Sequence, residues 1–472
     1  MKLIGRKNEI SLLELCTRSD RPEFLVVCGR YRIGKTYLVK EYFNHQFAFY
    51  STGIAKGTTK QKLKYFYSSL TQYGDQNPTP PKDWLEAFMR LKTILSSDSV
   101  NRDPLTGKIV VFLDEMPWMD TYTSDFKGSL EFFWNSWASS NPDILLIVAG
   151  SATSWIINNL LKGTGGFYNR ITRQINLKPF TLKEIEELCK TNNIPFTRKD
   201  IIDSYMIFGG VAHYYNLLDS RLSLVQNIDL LCFRENGQLH YEFNNLYETL
   251  FKNPEKHFAI VRALADKKSG LTRENLVKRK NIGDGKALTQ SLLDLEQCGF
   301  IRKYQSYSDR KIWIYQLIDP FSLFHLRFME SGKVSSWQSF FSSPGFNAWR
   351  GLAFELVCLH HVQQIKAALN ILAVDTHVYS FISSKSSPKV QIDLVLERAD
   401  RVINICEIKY SAKSYSISES YRNKLVQKLE TFRDETGTDA ALLLTMITLN
   451  GLVRNASMNS VANEITGDDL FT

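Results

Sequence analysis

Residues Gly29 to Thr36 have the types and spacing of a loop that holds phosphate groups. Two glycines enclose four residues and precede Lys-Thr, in the sequence Gly29-Arg30-Tyr31-Arg32-Ile33-Gly34-Lys35-Thr36. Glycines let backbone N–H groups turn inward around phosphates, the lysine reaches the outer phosphates, and the threonine hydroxyl offers a ligand to Mg²⁺. An apolar run at 24–28 predicts a strand before the loop, and residues 37–43 predict a helix after it. This order predicts that the eight residues bind ATP together with Mg²⁺.

Two adjacent acidic residues follow the next apolar run. Residues 109–113 are continuously apolar, which is typical of a central strand in a parallel sheet, and Asp114 and Glu115 come directly after them. At the end of such a strand, Asp114 is placed to hold Mg²⁺ with Thr36, and Glu115 is placed to orient and polarise an attacking water. The pair therefore predicts hydrolysis of the bound nucleotide.

A third apolar run, at 144–149, ends in Gly150 and Ser151. Ser151 is predicted either to sense the γ-phosphate or to cap the helix that follows, and the sequence favours neither. Further on, Arg170 would supply positive charge to a phosphate, in the same chain or in a neighbouring subunit. Arg173 is a rival for that role, and a solvated surface arginine is the third alternative.

These residues resemble a known family over positions 1 to about 220. The chain is similar there to the archaeal-type ATPases of the AAA+ superfamily, relatives of the STAND NTPases. The matching segments are Gly5-Arg6, the phosphate loop, Leu113-Asp-Glu-Met-Pro-Trp118, Gly150-Ser151, Arg170 and Leu177-Lys-Pro-Phe180. The resemblance implies a helical lid with the motif Gly-Gly-x-Pro-x-Tyr. The chain has Gly209-Gly210-Val211-Ala212-His213-Tyr214, with Ala212 in place of the proline.

The composition indicates a globular chain of two to four domains, with 472 residues, 44% hydrophobic and 12% aromatic. We expect a cytoplasmic protein without membrane contact, because neither an apolar leader nor a run of about 18 uncharged apolar residues is visible. The seven cysteines are scattered, which predicts reduced thiols and no zinc site. Adjacent His360 and His361 cannot point at one metal from a helix.

The net charge of +9 is concentrated in one segment, since residues 255–318 hold 13 Lys or Arg against 7 Asp or Glu. The segment has the pattern of a winged helix-turn-helix, with helices near 256–265, 271–278 and 287–297, strands at 300–304 and 312–317, and a basic loop at 306–311 as the wing. DNA contact by Lys286, Gln290, Arg310 and Lys311 is one interpretation. The other, equally supported, is a protein-interaction module whose charges are merely solvated.

The C-terminal third contains a second set of chemically capable residues. A predicted helix at 348–366 contains Glu355, and predicted strands at 390–396 and 402–409 contain Asp393 and the pair Glu407 and Lys409. Residues two apart on a strand share a face, so Glu407 and Lys409 point together, and Asp393 can join them. The carboxylates of Asp393 and Glu407 suit one or two divalent ions, Mg²⁺ or Mn²⁺, and Lys409 suits the polarisation of a water.

A helix at 422–436 and a strand at 440–445 follow, and we expect an αβββαβ order, of which these segments account for five of the six elements. This order and these residues resemble the PD-(D/E)XK nuclease superfamily, in its Holliday-resolvase-like branch, over about 345–447. Asp393 takes the place of the motif's aspartate, although Ile392 stands where proline is usual, and Glu407 with Lys409 matches the E-x-K pair. The resemblance also implies that Glu355, the helix carboxylate seen in many members, joins Asp393 and Glu407 as a metal ligand. The resemblance implies a restriction-endonuclease-like domain; fold alone does not establish cleavage.

The predicted fold class is therefore multidomain α/β. Its parts are a P-loop NTPase core with a parallel sheet at 1–178, a helical lid at 179–250, a winged helix at 251–334 and the nuclease-like domain at 345–472, with a linker at 335–345. One hypothesis is an ATP-driven DNA-processing enzyme that acts on double-stranded or branched DNA. The alternative is a STAND-like signalling switch whose winged helix and inactive nuclease-like domain bind partners. A homo-oligomer or a protein partner is compatible with both.

Overall fold

The computed structural model describes residues 3–151, 153–161, 167, 169–307, 309–332, 334, 336–341, 343–383, 385–386 and 389–472. The described chain divides into two compact units, and the boundary along the sequence falls between Pro179 and Phe180. Within those residues, no helix is both long enough and apolar enough to cross a membrane.

The first unit contains a parallel five-stranded sheet flanked by helices. Its strands are β1 (Glu23–Gly29), β2 (Phe49–Thr52), β3 (Ile109–Asp114), β4 (Ile144–Gly150) and β5 (Arg173–Leu177). Its helices are α1 (Lys7–Thr17), α2 (Lys35–Tyr42), α3 (Thr59–Gln72), α4 (Trp84–Leu95), α5 (Phe126–Ser136) and α6 (Thr153–Ile156). The strand order is β2-β3-β4-β1-β5, and every pairing is parallel.

The sheet of the first unit is covered on both faces, which explains its continuous apolar strands. In β1, Phe24 and Val26 pack with α3, α4 and α5, whereas Leu25 and Val27 pack with α1 and α2. Phe126, Phe133 and Trp134 of α5 are buried in the core on one of these faces. Because all strands run in one direction, β1, β3 and β4 end at the same edge of the sheet.

The second unit begins with helices and ends in a mixed sheet. Its helices are α7 (Leu182–Thr191), α8 (Arg198–Phe208), α9 (Ala212–Tyr215), α10 (Leu224–Ile228), α11 (Glu242–Leu250), α12 (Glu255–Ala265), α13 (Arg273–Val277), α14 (Lys286–Gln297), α15 (Pro320–Phe324), α16 (Trp337–Phe340), α17 (Pro344–His360), α18 (Val362–Ala368) and α19 (Glu419–Thr436). Its strands are β6 (Leu271–Thr272), β7 (Ile301–Ser306), β8 (Asp309–Leu317), β9 (Thr376–Ile382), β10 (Gln391–Arg398), β11 (Val402–Lys409), β12 (Ala441–Thr448) and β13 (Asn463–Thr466).

The second sheet joins two segments that are distant in sequence. Its order is β13-β12-β11-β10-β9-β7-β8-β6, and the pairing of Ser306 with Ser380 connects β7 to β9. From α12 to β8 the order is helix, short strand, two helices and a hairpin, and the side chain of Thr272 caps α13. From α17 onward the order is αβββαβ, with the first helix divided at His361 and β13 added.

Two sequence-based expectations about this unit are wrong. Arg310 and Lys311 do not lie in a basic loop, because β7 extends to Ser306 and β8 already starts at Asp309. Ser308 lies outside the described residues. The expected linker at 335–345 is also packed structure. Trp337 is 0% exposed and packs among aromatic rings, so burying its indole holds this segment against the helices. Ser335 lies outside the described residues.

Candidate functional site

The phosphate loop leaves β1 and enters α2 at the carboxyl edge of the first sheet. Gly34 has φ of +93°, a left-handed conformation that glycine adopts without strain, and a Cβ added there would lie no nearer than 4.0 Å to another side chain, that of Tyr37. The Lys35 side chain is only 4% exposed. Its ammonium donates to the carbonyl of Gly29 at 3.1 Å and to that of Arg30 at 2.8 Å. The loop therefore curls around the ammonium of Lys35.

The other loop residues surround this turn. Arg30 and Ile33 are buried, Tyr31 and Arg32 are half-buried, and the Tyr31 ring lies 6.5 Å from that of Trp118. The guanidinium of Arg6 donates to the carbonyl of Lys178 at 2.8 Å and reaches that of Ile33 at 3.4 Å. Arg6 thus fastens the loop to the chain that follows β5.

The predicted Mg²⁺ ligands come together across the sheet edge. The hydroxyl of Thr36 donates to the Asp114 carboxylate, at 2.9 Å from Oδ2 and 3.1 Å from Oδ1. Burial, with the neighbouring Glu115, raises the pKa of Asp114, while the Thr36 hydrogen bond partly offsets that rise. A hydroxyl and a carboxylate side by side are oxygen ligands of the kind Mg²⁺ takes.

Ser151 connects the lysine to the predicted water-activating residue. Its Oγ accepts from the Lys35 ammonium at 2.8 Å and donates to Glu115 Oε1 at 2.8 Å. Its backbone N–H donates to Glu115 Oε2 at 3.1 Å. Of the two roles that the sequence left open for Ser151, these contacts place the side chain among the phosphate-site residues.

The backbone of Glu115 is held in an uncommon conformation. It has φ of 43° and ψ of 39°, a left-handed geometry that strained functional positions often show. Its carbonyl approaches Gly53 so closely that a Cβ there would lie 2.3 Å from the oxygen. A side chain at position 53 would displace Glu115, so this glycine helps to set the position of the carboxylate.

Taken together, these residues fit ATP with Mg²⁺. Lys35 and the N-terminal amides of α2 would hold phosphates, and Thr36 with Asp114 would hold Mg²⁺. Bound Mg²⁺ would neutralise charge on the phosphates. The fit rests on the chain's own donors and acceptors.

Arg170 and Arg173 lie at the other edge of the same sheet. Leu25 pairs with Arg173 and Gly29 with Leu177, so the phosphate loop is four strand residues away, about 13 Å at 3.3 Å per residue. Arg173 approaches the buried carboxylate of Glu23 at 3.9 Å, and Arg170 is exposed. The structure thus does not bring Arg170 to this chain's own phosphate loop. Gly166 and Tyr168 of its segment lie outside the described residues.

The second unit brings Glu355 and Asp393 to a cation that sequence reasoning missed. The ammonium of Lys268, which lies between α12 and β6, is 2.5 Å from Glu355 Oε1 and 3.2 Å from Asp393 Oδ2. Asp393 Oδ1 accepts from the amide of Gln391 at 2.6 Å. Burial and the Asp393 charge raise the pKa of Glu355, and Lys268 partly offsets that rise.

Glu407 lies on β11, the strand next to that of Asp393, and three donor side chains surround its carboxylate. Its Oε1 is 3.0 Å from Lys409 Nζ and accepts from the Tyr421 hydroxyl at 2.5 Å, and its Oε2 is 2.7 Å from Lys428 Nζ. Burial raises the pKa of Glu407, but Lys428 and Lys409 outweigh it and the net pKa is lowered. The expected pairing of Glu407 with Lys409 is therefore present, with Lys428 and Tyr421 added by α19.

The two halves of this set adjoin each other. Leu394 pairs with Cys406 in antiparallel register, so Asp393 and Glu407 occupy the next positions across the two strands and share a face. Lys409 also lowers the pKa of Glu355, which places it within electrostatic reach of the helix carboxylate. Asp393, Glu407 and Lys409 therefore lie on one face of the sheet.

As arranged, the carboxylates Glu355, Asp393 and Glu407 fit ammonium groups better than a divalent ion. The three carboxylates face the three ammonium groups of Lys268, Lys409 and Lys428, so their charges balance. The cavity that Glu355 and Asp393 line has a volume of about 10 Å³, the room of a single water. Among the described residues, no three Asp, Glu, His or Cys side chains are grouped so as to hold a metal ion.

Both ring nitrogens of His361, in the second unit, contact backbone groups. It is 0% exposed, accepts from the Leu182 N–H at 2.9 Å through Nε2, and contacts the Val357 carbonyl at 2.7 Å through Nδ1. Because Nε2 accepts, the proton of the neutral ring is on Nδ1. Burial lowers the pKa of His361 to about 4, so the ring is neutral at pH 7.

Comparisons with known proteins bear mainly on the fold. No protein-family model matches the chain. An uncharacterized protein of Methanocaldococcus jannaschii is 23% identical over 369 residues, which cover 75% of this chain and 76% of that protein. A Walker-type ATPase of Pyrococcus abyssi has a TM-score of 0.50 at 16% identity, covering 69% of this chain and 96% of that one. Cdc6p of Pyrobaculum aerophilum has a TM-score of 0.34 at 13% identity, covering 69% and 94%, which is too low to support an argument.

The parallel sheet, the phosphate loop and the likeness to the Walker-type ATPase define the class of this chain. It has the parallel-sheet α/β fold of a P-loop ATPase, followed by a second, mixed sheet.

Proposed function

We propose that the chain binds and hydrolyses ATP at the site formed by Lys35, Thr36, Asp114, Glu115 and Ser151. One observation carries the proposal: Lys35, Ser151 and Glu115 form a continuous hydrogen-bonded chain beside the Thr36–Asp114 pair. This arrangement gathers a cation for phosphate, oxygen ligands for Mg²⁺ and a carboxylate for water. An ordinary glycine-rich turn needs none of these contacts.

Each residue has a distinct role in the proposed reaction. Lys35 binds the outer phosphates in place of the loop carbonyls that it now contacts. Glu115 orients water and accepts its proton, for which it must turn at least one oxygen away from Ser151. Ser151 is a positioning residue that holds Glu115 until nucleotide enters. Arg170, at the other edge of the sheet, would serve only the site of a neighbouring subunit.

Two measurements test this proposal directly: the affinity for ATP and the rate at which phosphate is released from it. Lys35→Ala should weaken ATP binding at least about tenfold, because a charge-assisted contact to phosphate is lost. Lys64→Ala is the matched control, since Lys64 is an exposed lysine on α3 of the same unit. An equal loss in both variants, or ATP binding that survives Lys35→Ala, would contradict the assignment.

For the second unit we propose a winged helix at 251–334 that contacts DNA through the turn before α14. Within the basic segment, Lys268 and Arg310 are held by carboxylates, whereas Lys278, Arg279, Lys280 and Lys286 are exposed around that turn. Phosphate contacts release counterions, so DNA affinity should fall steeply with salt. A charge-reversed variant, Arg279→Glu with Lys280→Glu, should lose most of this binding if the turn is the contact.

We also propose that residues 345–472 form a nuclease-like domain, with a lid at 179–250 between it and the ATPase core in sequence. The αβββαβ order and the shared face of Asp393, Glu407 and Lys409 support this proposal. Asp393→Asn should remove any Mn²⁺-dependent DNA cleavage and leave ATP hydrolysis largely intact, because the two sites belong to different units. Cleavage that persists in Asp393→Asn would exclude this site as its source.

One observation favours the alternative of a signalling ATPase whose nuclease-like domain only binds partners. Glu355, Asp393 and Glu407 all face lysine ammonium groups, an arrangement that needs no metal. Purified protein with Mg²⁺ or Mn²⁺ on linear, single-stranded and branched DNA, with and without ATP, distinguishes the two. ATP hydrolysis without cleavage under every condition would favour the signalling switch.

A further inference from the structure

The β7–β8 hairpin has two faces with different surroundings. Arg302 pairs with Gln316 across the two strands, and residues that lie opposite each other share a face. This pair and Tyr304 line the small cavity beside Glu355 and Leu356 of α17, so packing within the second unit covers this face. The alternate residues of the same strands point to the opposite face.

Trp313 lies on that opposite face, where it pairs with Gln305, and 43% of its surface is exposed. The ammonium of Lys303 lies 4.2 Å from the centroid of the indole and covers part of the ring. Lys311, two residues before Trp313, is exposed. Asp309, the single acidic residue in the sequences of β7 and β8, accepts from the Lys311 N–H at 2.9 Å. An exposed aromatic ring with cations beside it is therefore present on this face.

The indole adjoins the turn before α14, which is the proposed DNA contact. Tyr315, two residues after Trp313 on the same face, pairs with β6, and β6 leads directly into α13. Arg273 of α13 donates to Asp284 at 3.0 Å and to the Gly285 carbonyl at 3.1 Å, which fastens the turn to the start of α13. Two strand residues span about 7 Å, so one nucleic-acid molecule can contact both the turn and the indole.

We propose that Trp313 is a stacking platform for an unpaired nucleobase, next to the duplex that the turn before α14 contacts. The inference rests on the proposed DNA contact of the winged helix and adds the form of DNA that it takes. Bases inside an intact duplex stack on each other, whereas an unpaired base exposes its ring to an aromatic side chain. Lys303 and Lys311 supply positive charge to the phosphates beside this base. The favoured ligand is duplex DNA that continues into a single strand.

The first test uses the wild-type, full-length protein and three fluorescent DNA probes. These are a blunt duplex, the same duplex with a single-stranded thymidine extension, and that duplex with an abasic extension of equal length, with extensions of both polarities. The two extensions carry the same phosphates, so a difference between them reports contact with the bases. The Kd should be at least about fivefold lower with thymidine than with the abasic extension, the lower end of what one stacked base contributes. Equal Kd values for the two extensions would overturn the platform.

Substitutions then locate the contact. Trp313→Leu keeps an apolar side chain but removes the aromatic ring, and should abolish the preference for thymidine over the abasic extension. Trp313→Phe keeps a ring and should retain most of that preference. Ile312→Ala is the matched control, because Ile312 is the neighbouring residue of β8 and is also 43% exposed. It should bind all three probes as the wild type does.

The outcomes separate this inference from the proposed function. Duplex binding that is lost in Arg279→Glu with Lys280→Glu, without a thymidine preference, would overturn the platform and leave the winged-helix contact standing. Absence of binding to all three probes would overturn both, and would favour a protein partner for the indole. A thymidine preference that persists in Trp313→Leu would also overturn the platform. A preference that is lost in Trp313→Leu but kept in Trp313→Phe and Ile312→Ala supports the inference.

Discussion

Substitution of Arg310 by alanine tests whether the β7–β8 hairpin is docked within the second unit or contacts DNA. The guanidinium bonds both oxygens of Glu397, which also accepts from the Tyr307 hydroxyl at 2.7 Å. It also lies over the rings of Tyr307 and Tyr379, at 4.8 and 5.0 Å from their centroids. These contacts occupy the Arg310 side chain, which one of the two interpretations of the sequence places in contact with DNA.

The size of the effect follows from partial exposure. The Arg310 side chain is 51% exposed and that of Glu397 is 24% exposed, so solvent screens the pair and its coupling should be about 0.5–1 kcal/mol. Loss of the ring contacts adds about 0.5–1 kcal/mol. Arg310→Ala should therefore destabilise the second unit by about 1–2 kcal/mol in urea unfolding.

A double-mutant cycle with Glu397→Gln measures the coupling without the ring contacts. In parallel, the salt dependence of DNA binding should be unchanged by Arg310→Ala, whereas Lys286→Ala should reduce its slope by about 1. The reasoning is refuted if Arg310→Ala shows no coupling to Glu397 and instead removes a phosphate contact from the salt slope.

Other predictions concern buried groups in each unit. Ser151→Ala should slow ATP hydrolysis about a hundredfold with little effect on ATP affinity, because Glu115 loses its side-chain partner and its position; phosphate-release kinetics check this. His361 has a pKa of about 4 in the folded chain against an ordinary value of 6.5, so the unfolded state binds the proton first. Its contribution to stability, up to about 3 kcal/mol, is present above pH 6.5 and lost as pH falls toward 4, and His361→Gln should flatten that part of the pH–stability curve. Trp337→Ala should cost about 3–5 kcal/mol in urea unfolding, since it empties an aromatic cluster; a loss below 1 kcal/mol would mean that the segment is a loose linker.

Local patterns predicted the ATP site because each of its parts is written in a few consecutive residues. The phosphate loop, the acidic pair after β3 and Ser151 after β4 each follow an apolar run, and parallel strands bring such ends together. The strands themselves were recognisable because burial on both faces demands continuous apolar residues. The same reasoning does not predict the position of Arg170, because this residue precedes β5 and the sequence does not say at which edge of the sheet β5 begins.

The second unit was less predictable because its contacts join distant segments. Glu407 and Lys409 are two residues apart on one strand. Because side chains alternate between the faces of a strand, both point to the same face, and their pairing follows from the sequence. Lys268 comes from a different part of the chain, and no spacing rule connects it to Glu355 or Asp393. The serines around Trp337 favour a linker, but aromatic rings from distant parts of the chain bury its indole.

The most direct test of the central claim is the effect of Glu115→Gln on ATP binding and hydrolysis, measured on the same preparation. The amide keeps the shape of the carboxylate, and its one oxygen can still accept from the Ser151 N–H, but it cannot accept a proton from water. ATP affinity should be retained while turnover falls about 10²–10⁴-fold, the usual contribution of a general base. Wild-type turnover in Glu115→Gln would contradict the assignment of this residue and, with it, the proposed mechanism of the site.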